Sequence, residues 1–368
     1  MDVGQATANL ALLPVRLRIL PQATLRLPAL NKGNTLRGAF GTAFRRLVCI
    51  PQCRDARRCP LDGTCPYRVI FEPAPPPGSE RLSKNQDIPR PFIFRPPLDA
   101  ATTYAPGQAF DFTLTLVGKA VDYLPYFILA FRDVAREGIG LNRAKCVLER
   151  VEQIDLAVTC DLSHAPSPVS RIPCPGSSGT RHLTPDTCLI YSSSDELFRT
   201  PQASTLADYV QARLAQLSTL NRQPSTVHYS LSTVFLTPTY LKSEGQAVRQ
   251  PEFHHLFKRV RDRLNALCTF YGPGPIDADF KGLGEAAEKV RTVERRVQWV
   301  ERSRRSSKTG QRHELSGFTG VCTYEFPHLE CGISNFELIK WAVCGELLHA
   351  GRHTAWGNGW YRLERPSS

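Results

Sequence analysis

Near its C-terminal end the chain carries Gly351-Arg-His-Thr-Ala-Trp-Gly-Asn-Gly359, a run whose residue types can hold an anion. Gly351, Gly357 and Gly359 let backbone N–H groups approach a negative group with no Cβ in the way, and Arg352 and His353 add positive charge beside them. Helix ends and tight turns also use glycine for purely conformational reasons, so spacing alone leaves both roles open. A nucleotide-binding P-loop is excluded: no Gly-Lys-Ser/Thr closes the run, and helix and strand flank it in the opposite order.

Just upstream, residues 289–312 hold the densest positive charge of the chain. Arg295, Arg296, Arg302, Arg304, Arg305, Lys308 and Arg312 lie there with Lys289 and Arg291, against Glu294 and Glu301 alone. Over the whole 368 residues, 46 Lys and Arg against 34 Asp and Glu give +12 and a pI near 9.3. Clustered positive charge of this size favours a polyanionic partner. Tyr240, Trp299 and Trp356 are aromatic groups that can stack on unpaired bases or pack in a core.

A second chemical cluster lies at Cys49-x3-Cys53-x5-Cys59-x5-Cys65, with Pro51, Pro60, Gly63 and Pro66 turning the chain between the thiols. A loop with so little core of its own suits a tetrahedral Zn²⁺ held by four thiolates, which supplies the folding free energy that a short loop lacks. An iron–sulfur cluster, or cysteines without metal, remain alternatives. A closed four-thiolate zinc has no position for water, so its expected role is to brace the loop. Twelve cysteines in a long chain that lacks a basic n-region and apolar h-region at its start, and lacks any run of about eighteen apolar residues, point to reduced thiols and a cytoplasmic protein.

These groups must be positioned by regular elements. Alternation at 15–19 predicts a strand, and Leu36, Phe40, Phe44 and Leu47 share one side of a helix over 35–48. Strands at 92–95 and 110–117, a helix over 123–136 ended by Gly138, and a strand at 146–154 follow. The order β-α-β-β-α-β recurs downstream: strand 227–236, helix 251–270, strands 290–300 and 317–324, helix 335–349, strand 360–363. The expected fold is therefore α+β, with tandem ferredoxin-like (RRM-like) domains. The first spans 1–158 and includes a zinc-type cysteine loop at 49–72. An insertion and linker at 159–224 hold a strand near 188–191 and a helix near 206–220. The second domain spans 225–368 and carries the basic hairpin and the glycine segment.

Leu36-Arg-Gly-Ala-Phe40, Cys65-Pro-Tyr-x-x-Ile-Phe-Glu72, Pro91-Phe-Ile-Phe-Arg-Pro-Pro97, Gly317-Phe-Thr-Gly320, Leu348-His-Ala-Gly351 and Trp356-Gly-Asn-Gly-Trp-Tyr361 together resemble the CRISPR-associated endoribonucleases of the RAMP superfamily, the Cas-six family. The resemblance runs from about Val15 to Leu363, apart from 159–224. It implies a protein that binds CRISPR repeat RNA and cuts precursor transcripts to guide RNAs without a catalytic metal, leaving a 2′,3′-cyclic phosphate, and that works with other Cas proteins of an effector or adaptation complex.

Such chemistry needs a base for the 2′-OH, an acid for the 5′-oxygen and a cation for the phosphorane. Many relatives place a histidine on the first helix, but here none precedes His164, and Thr42 stands in the corresponding region. The resemblance moves the expectation to His349, with His353 second, Arg352 as the fixed cation and Tyr361 as a further hydroxyl. The missing histidine equally suits a non-catalytic RAMP subunit that holds guide RNA. A DNA-binding regulator has no helix-turn-helix or finger spacing behind it.

Overall fold

The computed structural model describes residues 2–29, 32–53, 61, 64–73, 88–156, 187–219, 229–305, 312–327 and 333–366. The chain folds as two compact units, Ala8–Asp208 with Phe270–Pro273, and Met1–Thr7 with Tyr209–Thr269 and Gly274–Ser368. Both are α+β units on an antiparallel sheet. Among the described residues no helix is long and apolar enough to cross a membrane.

In the N-terminal unit, β1 (Ala11–Pro21) buries Val15, Leu17 and Ile19 while Arg16 and Arg18 point to the opposite side, the two-residue period of a strand with two unlike faces. Helix α1 (Lys32–Val48), strands β2 (Phe92–Arg95) and β3 (Phe110–Val117), helix α2 (Leu124–Glu137) and strand β4 (Cys146–Ile154) follow, and β5 (Thr187–Ser192) adds a further strand. The sheet runs β2-β3-β1-β4-β5. Leu36, Phe40 and Phe44 of α1 are buried as their spacing predicts, but Leu47, expected on the same side, is 38% exposed in the last turn. Phe40 lies at the centre of the core, 4.4 Å from Phe127 and 5.0 Å from Phe44 by ring centroids, with Phe92 and Phe94 meeting it edge-on. Gly41 makes room on the same helix: a Cβ there would lie 2.1 Å from the Phe71 ring.

The C-terminal unit takes in helix α3 (Leu206–Thr219) from Tyr209 onward, then β6 (Tyr229–Thr239), α4 (Phe253–Tyr271), α5 (Phe280–Glu288), β7 (Arg291–Val300), β8 (Gly317–Phe326), α6 (Asn335–Leu348) and β9 (Tyr361–Glu364). Its sheet runs β7-β8-β6-β9. In both sheets the first strand therefore lies between the third and the fourth, and the second lies outside the third. Helix α5, which the sequence reading lacked, starts where the Asp279 carboxylate accepts the Gly282 N–H at 2.9 Å. Its two glycines weaken the periodic signal.

One buried ion pair ties α3, α6 and β9 together. Glu346, 4% exposed, accepts from Arg213 Nε at 3.0 Å, from the Tyr209 hydroxyl at 3.0 Å and from the Leu363 N–H at 2.7 Å, and Arg213 also donates to the Leu363 carbonyl. Removing one partner of a buried pair leaves the other charge uncompensated. Arg213→Ala is expected to destabilise this unit by about 3 kcal/mol, the lower end of the range for such losses, because Tyr209 and Leu363 still serve the carboxylate. All four tryptophans (Trp299, Trp341, Trp356 and Trp360) lie in this unit, so the fluorescence midpoint in urea reads the loss directly.

Candidate nucleic-acid interface

Helix α6 ends where the Gly345 carbonyl accepts the His349 N–H at 2.8 Å, and the chain then turns through a series of left-handed conformations. Gly351, Gly357 and Gly359 have φ of 82°, 88° and 72°. At Gly351 a Cβ would lie 2.3 Å from the Tyr240 carbonyl oxygen, and at Gly359 1.8 Å from that of Ala350. These glycines are thus required by conformation and close approach.

Their amides are mostly committed within the protein. Gly357 N–H donates to Thr354 O at 3.0 Å and Gly359 N–H to Pro238 O at 3.1 Å, while the Gly357 carbonyl accepts from Thr237 Oγ1 at 2.8 Å. The expectation that the Gly357 and Gly359 amides grip an anion is corrected: both donors are already used. The segment's contribution to binding falls to side chains it presents.

His349 is also placed differently from the expectation. Its side chain is 0% exposed, its Nδ1 lies 3.0 Å from the Asn358 carbonyl, and its ring stacks on Trp360 at 5.9 Å and 7°. A carbonyl only accepts, so Nδ1 carries the hydrogen. Its backbone, at φ 60° and ψ 164°, occupies a region nearly reserved for glycine, which costs about 1–3 kcal/mol and persists because the surroundings hold it. In this conformation the imidazole fastens the glycine segment and does not reach solvent.

Tyr361 is likewise 0% exposed, and its hydroxyl donates to the Ala342 carbonyl across α6, where Gly345 leaves space for it. Burial raises its pKa well above the ordinary phenol range. It packs the last strand on the helix.

Arg352 and His353 do face outward. Arg352 is exposed, its N–H donates to Tyr240 O at 3.2 Å, and its guanidinium lies 5.0 Å from the Tyr240 ring. His353 is half-buried, stacks on Trp356 at 4.5 Å, and has Nε2 3.0 Å from the Glu314 carbonyl, so Nε2 donates and Nδ1 is the basic nitrogen of the neutral ring.

Much of the basic run is locally balanced. Arg295 reaches Gln250 at 3.1 Å and Glu252 at 3.9 Å, Arg296 pairs with Glu294 at 2.9 Å, and Arg291 pairs with Glu325. Arg302 is half-buried, and burial lowers its pKa. Ser303–Arg305 and Arg312–Glu314 form a two-stranded ribbon in which Arg305 pairs in register with Arg312. Lys308 lies outside the described residues.

At the cysteine loop, Cys49 and Cys53 are half-buried and Cys65 is buried, whereas Cys59 lies outside the described residues. Burial, with the neighbouring Cys53 and Cys65 thiols, pushes the Cys49 thiol up to about 11. Cys49, Cys53 and Cys65 do not form a group whose ligand atoms all lie within 4.8 Å of one another.

An α+β protein of two antiparallel sheet units, with a cationic and aromatic surface on the second, is the class that fold and site define. A family model for the CRISPR-associated endoribonuclease Cas6 matches residues 234–361, and one described as an N-terminal domain matches residues 10–166. Over residues 234–361 the chain is therefore similar to the Cas6 family, an endoribonuclease family. No curated protein matches. Among solved structures, a partial Cas6-RT-Cas1–Cas2 complex is 14% identical with TM-score 0.55, covering 98% of this chain and 47% of that one. A Cas6 product complex is 14% identical with TM-score 0.48, covering 96% and 99%, and Thermus thermophilus Cas6 is 14% identical with TM-score 0.44, covering 97% and 100%. At such identities the first of these shows likeness of fold alone.

A separate histidine pair sits at the start of α4. Among the described residues, Glu252, His254 and His255 form the one group of three whose ligand atoms lie within 4.8 Å of one another. The Glu252 N–H donates to His255 Nδ1 at 3.1 Å, so the proton of the neutral ring sits on Nε2, and Lys258 and Arg295 add positive charge nearby. That arrangement opposes a metal cation.

Burial, then His254, pushes the His255 pKa down to about 4 from 6.5. The unfolded chain therefore binds a proton that the folded one refuses between those values. Stability from this group is complete above pH 6.5 and is lost as pH falls toward 4. His255→Gln is expected to lose less of its urea midpoint than the parent between those two pH values, and equal losses would contradict the assignment.

Proposed function

We propose that this chain is a metal-independent endoribonuclease that binds CRISPR repeat RNA and cuts precursor transcripts to guide RNAs, leaving a 2′,3′-cyclic phosphate. The observation that carries this reading is the Cas6 family match over residues 234–361, which spans the basic strand, the ribbon and the whole glycine segment. The RNA 2′-OH loses its proton and attacks the adjacent phosphorus, the bond to the 5′-oxygen breaks, and that oxygen takes up a proton. Exposed Arg352 is suited to hold the phosphate through its planar guanidinium, and His353 beside it offers Nδ1 for proton transfer. His349 and Tyr361 act here as positioning groups behind them. Other Cas proteins are proposed as partners, an idea supported by the Cas6-RT-Cas1–Cas2 complex among the similar folds.

A second reading, a non-catalytic subunit that holds guide RNA, is favoured by the complete burial of His349 and Tyr361 and by exposed Thr42, whose hydroxyl only donates to Gly38 O within its own helix. Incubation with cognate repeat RNA in excess EDTA separates the two. The enzyme reading expects a defined cut with a cyclic-phosphate end, slowed roughly 100-fold or more by His353→Ala and little changed by Tyr361→Phe. Tight binding without cleavage supports the subunit.

A tandem ferredoxin-like architecture with a zinc-braced loop completes the proposal, with Cys49, Cys53, Cys59 and Cys65 as ligands. Elemental analysis is expected to find about one zinc per chain, lost when Cys53 and Cys59 become serine. Undiminished metal in that variant would remove the assignment.

A further inference from the structure

We infer that Tyr240 and Trp299, flanked by Arg352 and Arg249, form a stacking platform for an unpaired RNA base, an inference that rests on the RNA-binding reading above. The register brings the rings together. Trp299 pairs with Phe318 across β7 and β8, Phe318 pairs with Thr239 across β8 and β6, and Tyr240 is the next residue. The two ring centroids lie 6.0 Å apart at 59°. Arg249 sits 4.5 Å from the Trp299 ring and Arg352 5.0 Å from the Tyr240 ring, so the four side chains form the series Arg-Trp-Tyr-Arg.

Charge separates these two arginines from their neighbours. Arg291, Arg295 and Arg296 are each paired with a carboxylate. Among the described residues Arg249 and Arg352 make no ion pair, and both are exposed while the rings beneath them are half-buried. A guanidinium held on an aromatic face without a carboxylate keeps its full charge for a phosphate and offers a flat surface to a base. Every base has a π-face, so such a surface takes unpaired bases with little regard to sequence, whereas paired bases are unavailable to it.

The glycine segment explains why Arg352 is there. Its N–H is bonded to the Tyr240 carbonyl, and the lack of a Cβ at Gly351 lets the turn approach that same oxygen. The turn therefore aims one guanidinium at one ring.

The test uses the full chain and two probes: single-stranded oligo(A) and oligo(U) of about twelve nucleotides, within the length that such surfaces engage, and a fully paired RNA hairpin. Trp299→Ala is expected to weaken binding of the single strands roughly 10-fold or more, and Arg249→Ala several-fold, with Trp299→Phe close to the parent. Hairpin binding should change less than about 2-fold in all three. Circular dichroism checks folding, and exposed Arg249 carries the test if Trp299→Ala does not fold. Unchanged single-strand binding, which would make the stack purely structural, overturns the inference, and so does an equal loss on both probes. A parent protein that cuts repeat RNA but ignores the single strands sinks the platform alone. Trp299-dependent strand binding without any cleavage sinks the enzyme reading alone.

Discussion

The C-terminal unit depends on how closely the turn after α6 can approach the end of β6. Gly351 lies against Tyr240, Gly359 against Ala350 and Pro238, and no side chain fits at either place. Once the backbone closes there, Asn358 presents its carbonyl to buried His349, and His349 is held in a conformation that a free chain avoids. Strand β9 is thereby delivered to β6, with Tyr361 opposite Phe235 and its hydroxyl reaching into α6. The sheet, the last helix and the exposed guanidinium of Arg352 all follow from one tight backbone contact.

That constraint also divides the work within the segment. Backbone groups that look available in a glycine-rich sequence are consumed in closing the turn, and the two reactive side chains that flank it, His349 and Tyr361, are consumed in packing. What remains outward is Arg352, His353 and, by way of Tyr240, a run of aromatic rings. Positive charge along β7 is largely answered by Glu252, Glu294 and Glu325, so among the described side chains the charge left for a polyanion lies beside the rings.

Much of the fold was legible in the sequence because its strands and helices announce themselves by period. The strands Phe92–Arg95, Phe110–Val117 and Cys146–Ile154 have the expected ends, and helix α6 stops one residue before His349, where the expected helix ended. Helix α5 escaped because it is short and glycine-rich, and the weight of α3 was invisible because its meaning lies in Arg213 meeting Glu346 far along the chain. The candidate site was less legible. Residue type marks histidine as a proton carrier, but whether an imidazole faces solvent or the core depends on Asn358 and Trp360 folding over it, a tertiary matter that spacing does not encode. Glycines had the same ambiguity, resolved only by the position of Tyr240 and Ala350. The stacked series Arg249-Trp299-Tyr240-Arg352 joins four separate stretches, and no local motif contains it.

The central claim is that the glycine segment is a scaffold whose amides are already bonded and whose side chains meet RNA. Hydrogen exchange at Gly357 and Gly359, compared with and without a bound repeat RNA, tests it most directly. The account predicts slow exchange at both amides in the free protein and little further slowing on binding. Fast exchange in the free protein that becomes slow only with RNA would show that the amides themselves grip the ligand, and would contradict it.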